Sequence, residues 1–399
     1  MKFLHTSDWH VGRTISMRSR ESEHEAALQQ ILTYARENAV DCLLIAGDVF
    51  DSSAPPPEAE RLVYEFLREL HGAEIPAVLI AGNHDHPRRI EAIAPLLRTL
   101  DIHALGEPRR AQDGGSITIT SRDGKETAVI AALPWVTERR AVDFSTLMQG
   151  PDKAILSYAE SVAQAMTNLA TAFQSQTVNV LMSHALVNDA VVGAGGGERA
   201  LSLAMGIYGI QRQRFPGQAQ YVALGHVHKP QEVVASPAAW YSGSLLQLDF
   251  GEAEQAKSIN LVELHPRLPA KVAQLPLENG IRRLIDVGSP LRGVALNELP
   301  SHVDRVGDAW LRVFIDLEMP VANLPAMVRE VLPNAVQVIR SRAAAQPEAA
   351  AAPETPLTQE DLFGAFYRSD LGRSMEPSAA TMALFRRLLH EEADVAADA

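Results

Sequence analysis

One cysteine, Cys42, occurs in 399 residues. A single thiol cannot form an intrachain disulfide or a thiolate metal cluster. Cys42 lies in the apolar run Cys42–Ile45 and reads as a small buried core residue. A reducing, intracellular compartment fits. Long apolar runs are also missing: no stretch approaches the ~18–20 residues of a membrane span. The first residues pass from Lys2 into a polar motif without an apolar leader, so the expectation is a cytoplasmic protein. Positive charge is scarce as well. The chain carries 36 Lys+Arg against 49 Asp+Glu, a net charge of −13, which argues against a broad basic face for nucleic acid. Residues 341–399 hold five Arg and ten acids, leaving −8 for residues 1–340. Divalent cations bound in an acidic pocket would reverse the local field. Basic pairs remain at Arg88–Arg89, Arg109–Arg110, Arg139–Arg140, Arg212 with Arg214, and Arg282–Arg283. Each is either a phosphate contact or solvated surface. Gly193–Gly197 is glycine-rich, but no Lys-Ser/Thr follows. The chain therefore has no ATPase phosphate loop, and any ATP dependence must come from a partner.

What is present is one pattern used five times. Val78–Ala81 is apolar, Gly82 frees the backbone, and Asn83, His84 and Asp85 follow. Phe3–Leu4 leads to Asp8–Trp9–His10, and Cys42–Ile45 leads to Gly47–Asp48–Val49–Phe50–Asp51. Val178–Met182 leads to Ser183–His184, and Tyr221–Leu224 leads to Gly225–His226–Val227–His228. Polar residues at the carboxyl ends of core strands are where open α/β sheets place ligands.

The residues at those ends, Asp8, His10, Asp48, Asn83, His184, His226 and His228, form a mixed N/O donor set. Such a set suits Mn²⁺, Fe²⁺ or Zn²⁺ better than Mg²⁺. Two cations ~3.5–4 Å apart would clamp a phosphate and generate hydroxide near neutral pH, giving hydrolysis by direct attack of water. Two-residue spacing, in an extended segment, points Asp8 and His10 the same way, and likewise His226 and His228. His84, next to Asn83, is expected to act on the scissile phosphate as proton donor or charge stabiliser. Asp85 is expected to orient an imidazole from behind. The other eight histidines, His5, His24, His71, His86, His103, His265, His302 and His390, read as ordinary polar residues.

Residues 1–265 alternate strands with helical stretches, notably Glu21–Glu37 and Glu58–Leu70, the second preceded by Pro55–Pro57. This predicts a layered α/β domain of sheets flanked by helices. Ser116–Thr120 and Thr127–Ala131 around Asp123–Gly124 predict a hairpin. Residues 266–340 predict a small α/β accessory domain, with strands at Trp310–Leu317 and Ala335–Ile339 and a helix at Asn323–Leu332. Residues 341–356 are Ala/Pro-rich and read as a linker. Residues 357–399 predict two short amphipathic helices after a capping-box-like Thr358–Asp361. Leu362, Phe363, Phe366 and Tyr367 share one face, and Met382, Phe385, Leu388 and Leu389 another. These faces either pack on their own chain or dock a partner helix.

The five motifs in this order resemble the calcineurin-like metallophosphoesterases. More narrowly, the opening Met1–His10, Gly225–Pro230 and Tyr241–Ser244 resemble the SbcD family of bacterial nuclease subunits. The resemblance covers about residues 1–340 in layout. It implies a homodimeric, manganese-dependent DNA nuclease, acting as an ATP-dependent double-strand exonuclease and a single-strand endonuclease. ATP would be hydrolysed by SbcC, a coiled-coil ATPase that binds residues 357–393 in an SbcC–SbcD heterotetramer. Residues 266–340 would cap the site and contact DNA. The family's pattern puts Asp8, His10, Asp48 and His228 on one metal, and Asp48, Asn83, His184 and His226 on the other. Archaeal and eukaryotic relatives carry His where this chain has Asp51, leaving that position a structural or supporting role. Rival readings are a small-molecule phosphodiesterase, for example for cyclic nucleotides, and a non-catalytic scaffold. The added domain and tail argue against the first, and the complete ligand set against the second.

Overall fold

The computed structural model describes residues 1–137, 158–192, 209–317, 319, 321–341, and then 363, 367, 377–379, 381–383 and 385. Arg139–Arg140, Gly193–Gly197, nearly all of the 341–356 segment and most of the tail residues named above lie outside the described residues. The chain divides into Met1–Arg342 and Ala343–Ala399.

In the first unit the strands are β1 (Lys2–Thr6), β2 (Thr14–Ile15), β3 (Arg18–Ser19), β4 (Cys42–Ile45), β5 (Ala77–Ile80), β6 (Ile102–Leu105), β7 (Ser116–Thr120), β8 (Thr127–Leu133) and β9 (Val178–His184). There follow β10 (Tyr221–Gly225), β11 (Gln231–Val233), β12 (Ala238–Tyr241), β13 (Ser258–Glu263), β14 (Lys271–Pro276), β15 (Leu284–Val287), β16 (Trp310–Ile315) and β17 (Ala335–Arg340). Among the described residues two six-stranded sheets form, ordered β14-β13-β1-β4-β5-β6 and β11-β12-β10-β9-β8-β7. Strands β1, β4, β5 and β6 run parallel, as do β8, β9, β10 and β12.

Both sheets are buried on both faces, which is why the central strands read as unbroken apolar runs. Along β4, Cys42 and Leu44 enter a core shared with Val180, Met182, Tyr221 and Ala223 of the other sheet. Leu43 and Ile45 face the opposite way, into a core made with helices. Helix α1 (Glu21–Glu37) supplies Ala27, Leu28, Ile31, Leu32 and Ala35 to it, one stripe at helical spacing. Helix α2 (Pro57–Gly72) adds Leu62, Val63, Phe66, Leu67 and Leu70, and starts on Pro57 as its ring geometry favours. Helix α3 (Pro87–Arg98) contributes Ile90 and Leu97, and α4 (Tyr158–Leu169) covers the second sheet through Val162, Met166 and Leu169. The layers are helix, sheet, sheet, helix, as expected of a layered α/β domain.

The accessory region begins later than residue 266. Strand β14 pairs antiparallel with β13 from Ser258↔Pro276 to Glu263↔Lys271 and so belongs to the first sheet. Pairing there closes an edge that would otherwise expose unsatisfied backbone groups. The separate sheet, β15-β16-β17, is parallel and starts at Leu284. It packs with helix α5 (Leu324–Val331) around Val313, Ile315, Val328 and Leu332.

In the second unit, Phe363 and Phe385 stack with ring centroids 4.1 Å apart, and Tyr367 tilts against Phe363 at 5.7 Å.

Candidate metal centre

The parallel strands of both sheets end on one edge of the sandwich, and the polar residues that follow them meet there. Trp9 points away into the core, with its indole N–H on Thr6 Oγ1 at 2.9 Å and its ring edge-on to Phe66. Asp8 and His10 are thereby left facing the site. The segment is not extended, which the two-residue spacing alone would suggest. Asp8 and His10 both have left-handed φ, 51° and 48°, and Asp48 (51°) and His226 (103°) share that feature. The two side chains converge because the backbone coils between hydrogen bonds to the neighbouring loop, Asp8 N to Gly47 O and His10 N to Asp48 O.

Asp48 lies beneath the cluster. His184 Nε2 is 3.4 Å and His10 Nε2 3.6 Å from its Oδ2, while Oδ1 accepts the His84 backbone N–H at 2.8 Å. Burial alone would raise the Asp48 carboxyl, but the imidazoles of His184, His10 and His84 hold it far below the usual range. Asn83 Oδ1 lies 2.8 Å from His226 Nδ1 and 3.1 Å from His184 Nε2. Asp8 accepts the His226 backbone N–H on both oxygens, at 3.0 and 3.1 Å, and a hydrogen bond from Ser7 Oγ. The rings of His10 and His228 lie 5.0 Å apart. All seven residues expected as ligands are thus brought to one place. Ligand atoms of Asp8, His10 and His228, and of Asp8, Asp48 and His184, lie within 4.8 Å of one another in each group.

The site fits a cation on its own geometry. His184 meets oxygen acceptors on both ring nitrogens: Nδ1 donates to Ala46 O at 2.8 Å, and Nε2 faces Asn83 and Asp48. Two facing lone pairs repel unless a proton or a metal ion lies between them. Burial lowers the affinity of this ring for a proton, but Asp48 and, further off, Asp8 overcome it and raise the pKa to about 9. A proton takes the cation's part. His10 Nε2 is buried with no hydrogen-bond partner, which is costly unless an ion completes it. His10 Nδ1 donates to Asp51 Oδ1 at 3.3 Å, so Asp51 takes a supporting role and orients this ring.

Three observations differ from or add to expectation. Among the described residues Asp85 hydrogen-bonds to no imidazole. Its buried carboxylate accepts the backbone N–H groups of Gly82, Val49 and Phe50 at 2.9, 3.2 and 3.0 Å, tying together two of the ligand-bearing loops. Burial and the Asp48 charge push its pKa up to about 6. His84 Nδ1 donates to Asp51 O at 2.9 Å, and a ring nitrogen of His84 lies within 4.8 Å of ligand atoms of His10 and Asp48. Trp135, which no motif marked, stacks on His226 at 4.9 Å and stands edge-on to His184 at 6.0 Å. Its only signal is its place two residues past the end of β8, a sixth strand end on the same edge.

Residues 1–230 match the family of calcineurin-like phosphoesterases. The match spans more than half of the chain, which therefore belongs to that family of divalent-metal phosphoesterases. Among curated relatives, the SbcD subunit of the nuclease SbcCD from Bacillus subtilis (strain 168) is 35% identical over 337 residues, covering 81% of this chain and 80% of its own. The same subunit from Rhodobacter capsulatus is 30% identical over 392 residues, covering 92% and 94%. Within the phosphoesterases the chain belongs to the SbcD family of nuclease subunits and is a hydrolase. Among solved structures, TT1561 of Thermus thermophilus covers 69% of this chain and 99% of its own at 13% identity and a TM-score of 0.40, too slight a likeness to argue from. No helix among the described residues is long and apolar enough to cross a membrane.

Proposed function

We propose that this chain is the manganese-dependent nuclease subunit of a cytoplasmic SbcC–SbcD assembly. It acts on double-stranded ends as an ATP-dependent exonuclease and on single strands as an endonuclease, opening hairpins and blocked ends in DNA repair, recombination and replication. SbcC supplies the ATPase. The chain pairs as a homodimer within a heterotetramer. The convergence of seven N/O donor side chains on one edge of the sandwich carries this reading.

In this reading Asp8, His10, Asp48 and His228 hold one divalent ion and Asp48, Asn83, His184 and His226 the other, with Asp48 shared. The mixed donor set favours Mn²⁺ over Mg²⁺. When bound, the ions supply Lewis-acid polarisation of the phosphate and an acidified water. The chain's residues do the rest. His84 Nδ1–H donates a hydrogen bond to the Asp51 carbonyl, which turns Nε2 outward; the ring protonated on both nitrogens can then pass its Nε2 proton to the leaving oxygen or steady the charge there. Asp85 holds the loops of Asp48 and Asn83 in register. Trp135 covers the His226 side of the site against water. Of the segment 266–340, the separate sheet from Leu284 onward contributes a cap and DNA contacts. The closeness of β17 to the β2–β3 hairpin, Gln337 Nε2 to Ser16 Oγ at 3.4 Å, supports this. Residues 357–399 dock on the base of the SbcC coiled coil, for which the aromatic pair Phe363–Phe385 offers apolar surface.

The test is incubation with Mn²⁺ of hairpin-ended linear DNA, and separately of a small cyclic nucleotide, with and without SbcC and ATP. Manganese-dependent cutting of DNA, extended to double-strand ends by SbcC and ATP, is expected. Hydrolysis of the cyclic nucleotide with DNA untouched in every arm overturns the reading.

A further inference from the structure

We infer that Glu252, a residue outside the ligand set, is a positioning residue that fixes the tautomer and orientation of His228. The inference rests on the proposed reading of His228 as a ligand.

Glu252 is 1% exposed and sits in the loop between β12 and β13. Its Oε1 is 2.9 Å from His228 Nδ1. A carboxylate offers only acceptors, so the proton must be on Nδ1, and a neutral imidazole then bares its lone pair at Nε2. With the proton on Nδ1, Nε2 carries the lone pair, and a ring nitrogen of His228 lies within 4.8 Å of ligand atoms of Asp8 and His10. Glu252 Oε2 accepts from Lys257 Nζ at 2.7 Å and from Leu248 N at 3.1 Å. The His228 carbonyl at 2.9 Å, Ser244 Oγ at 2.8 Å and Gln255 Oε1 at 2.8 Å share the remaining N–H groups of Lys257 Nζ. The buried ion pair therefore grips His228 twice, by ring and by backbone.

The loop has little freedom to present Glu252 otherwise. Gln247, five residues earlier, donates to Ala253 O at 2.8 Å and Gln255 O at 3.0 Å, and accepts from Leu284 N of β15 at 2.7 Å. Phe250 lies under the Arg312 guanidinium of β16, 4.9 Å from its ring centroid. Hydrogen bonds behind metal-bound histidines hold ring and tautomer in this way, and their removal weakens metal binding about 10–100-fold. His10 and His184 have simpler supports in Asp51 and the Ala46 carbonyl.

The test is Glu252→Gln in the full chain, titrated with MnCl₂ by calorimetry and checked by near-ultraviolet circular dichroism. Lys257 and Leu248 N claim the single amide oxygen, so the NH₂ group faces His228 Nδ1 and drives the ring proton to Nε2. One Mn²⁺ is expected to bind about 10–100-fold more weakly, with the second ion and the dichroism unchanged. Glu252→Gln with Lys257→Met leaves no ammonium without its carboxylate, and gives the same measurement if the single variant does not fold. Two ions bound at wild-type affinity in either folded variant overturn the inference alone, as does equal weakening of both with loss of the dichroism signal. A wild-type chain that takes up no Mn²⁺ overturns the ligand reading and this inference with it.

Discussion

Asp8, His10, Asp48 and His226 hold φ values between 48° and 103°, where side chains other than glycine cost about 1–3 kcal/mol each. That strain persists because each residue is hydrogen-bonded into a neighbouring loop or strand end, and it turns side chains from separate strand ends toward one point. The roles proposed for two residues can be separated by measurement. His84→Gln is expected to slow DNA hydrolysis by about 10²–10⁴-fold while metal content by mass spectrometry stays at the wild-type value. A drop in bound metal instead makes His84 a ligand, as its reach to His10 and Asp48 allows. Asp48→Asn removes the charge next to His184 and His10, so metal content should fall. Unchanged stoichiometry speaks against a shared Asp48.

The elements that matter most here are the turns after the parallel strands. A methyl group at Gly82 would overlap the Asp48 carboxylate of the neighbouring loop in the same sheet, and one at Gly225 would overlap the Ala46 carbonyl of the other sheet, so at this edge the loops, and the two sheets, approach only through bare backbone. Gly82→Ala must push Asp48 aside. It is expected to keep the fold, since the nearest atoms the methyl meets all belong to Asp48 and none to a core side chain, but to lose most divalent-ion binding in a calorimetric titration. Retained binding would show that the loop yields. The hairpin around Asp123–Gly124 forms as alternation and turn chemistry predict. Helix α4 carries no motif that announces it, and the accessory region starts later than composition suggests. Strand β14 is exposed at four of its six positions and half-buried at two, without strict alternation, a pattern too polar to announce a sheet edge.

Across the whole molecule the acidic balance is resolved locally. Arg89 pairs with Glu60 at 2.6 Å, Arg110 with Asp113 at 2.6 Å, and Arg109 with Glu91. These partly or fully exposed pairs add little stability, but they occupy several of the arginines that stood as candidates for phosphate. Buried histidines set the response to acid. Burial lowers His5 from 6.5 to about 3 and His24 to about 4. Between those values and 6.5 the unfolded chain binds more protons than the folded one, so stability falls as pH drops below 6.5. The Tm should decline from pH 7 to pH 5, less steeply in His24→Gln; a flat profile contradicts the assignment. On the proposed reading, deleting 357–399 should abolish co-purification with SbcC and spare manganese-dependent cutting of single strands.

The amino-acid order alone determined the class of chemistry: five apolar runs each stop at Asp, Asn or His, because a buried strand can end only where polar groups find water, a partner or an ion. Only the tertiary structure decided which support each ligand has. Glu252 lies near Glu254 and Gln255 with no motif to mark it, and Trp135 follows a strand end without a ligand type. Their roles arise from chain segments far apart in sequence: β8 and its exit stack on the loop after β10, and the loop after β12 folds back beneath His228. Contacts of that kind depend on how two sheets and an accessory sheet pack, and no local periodicity encodes them.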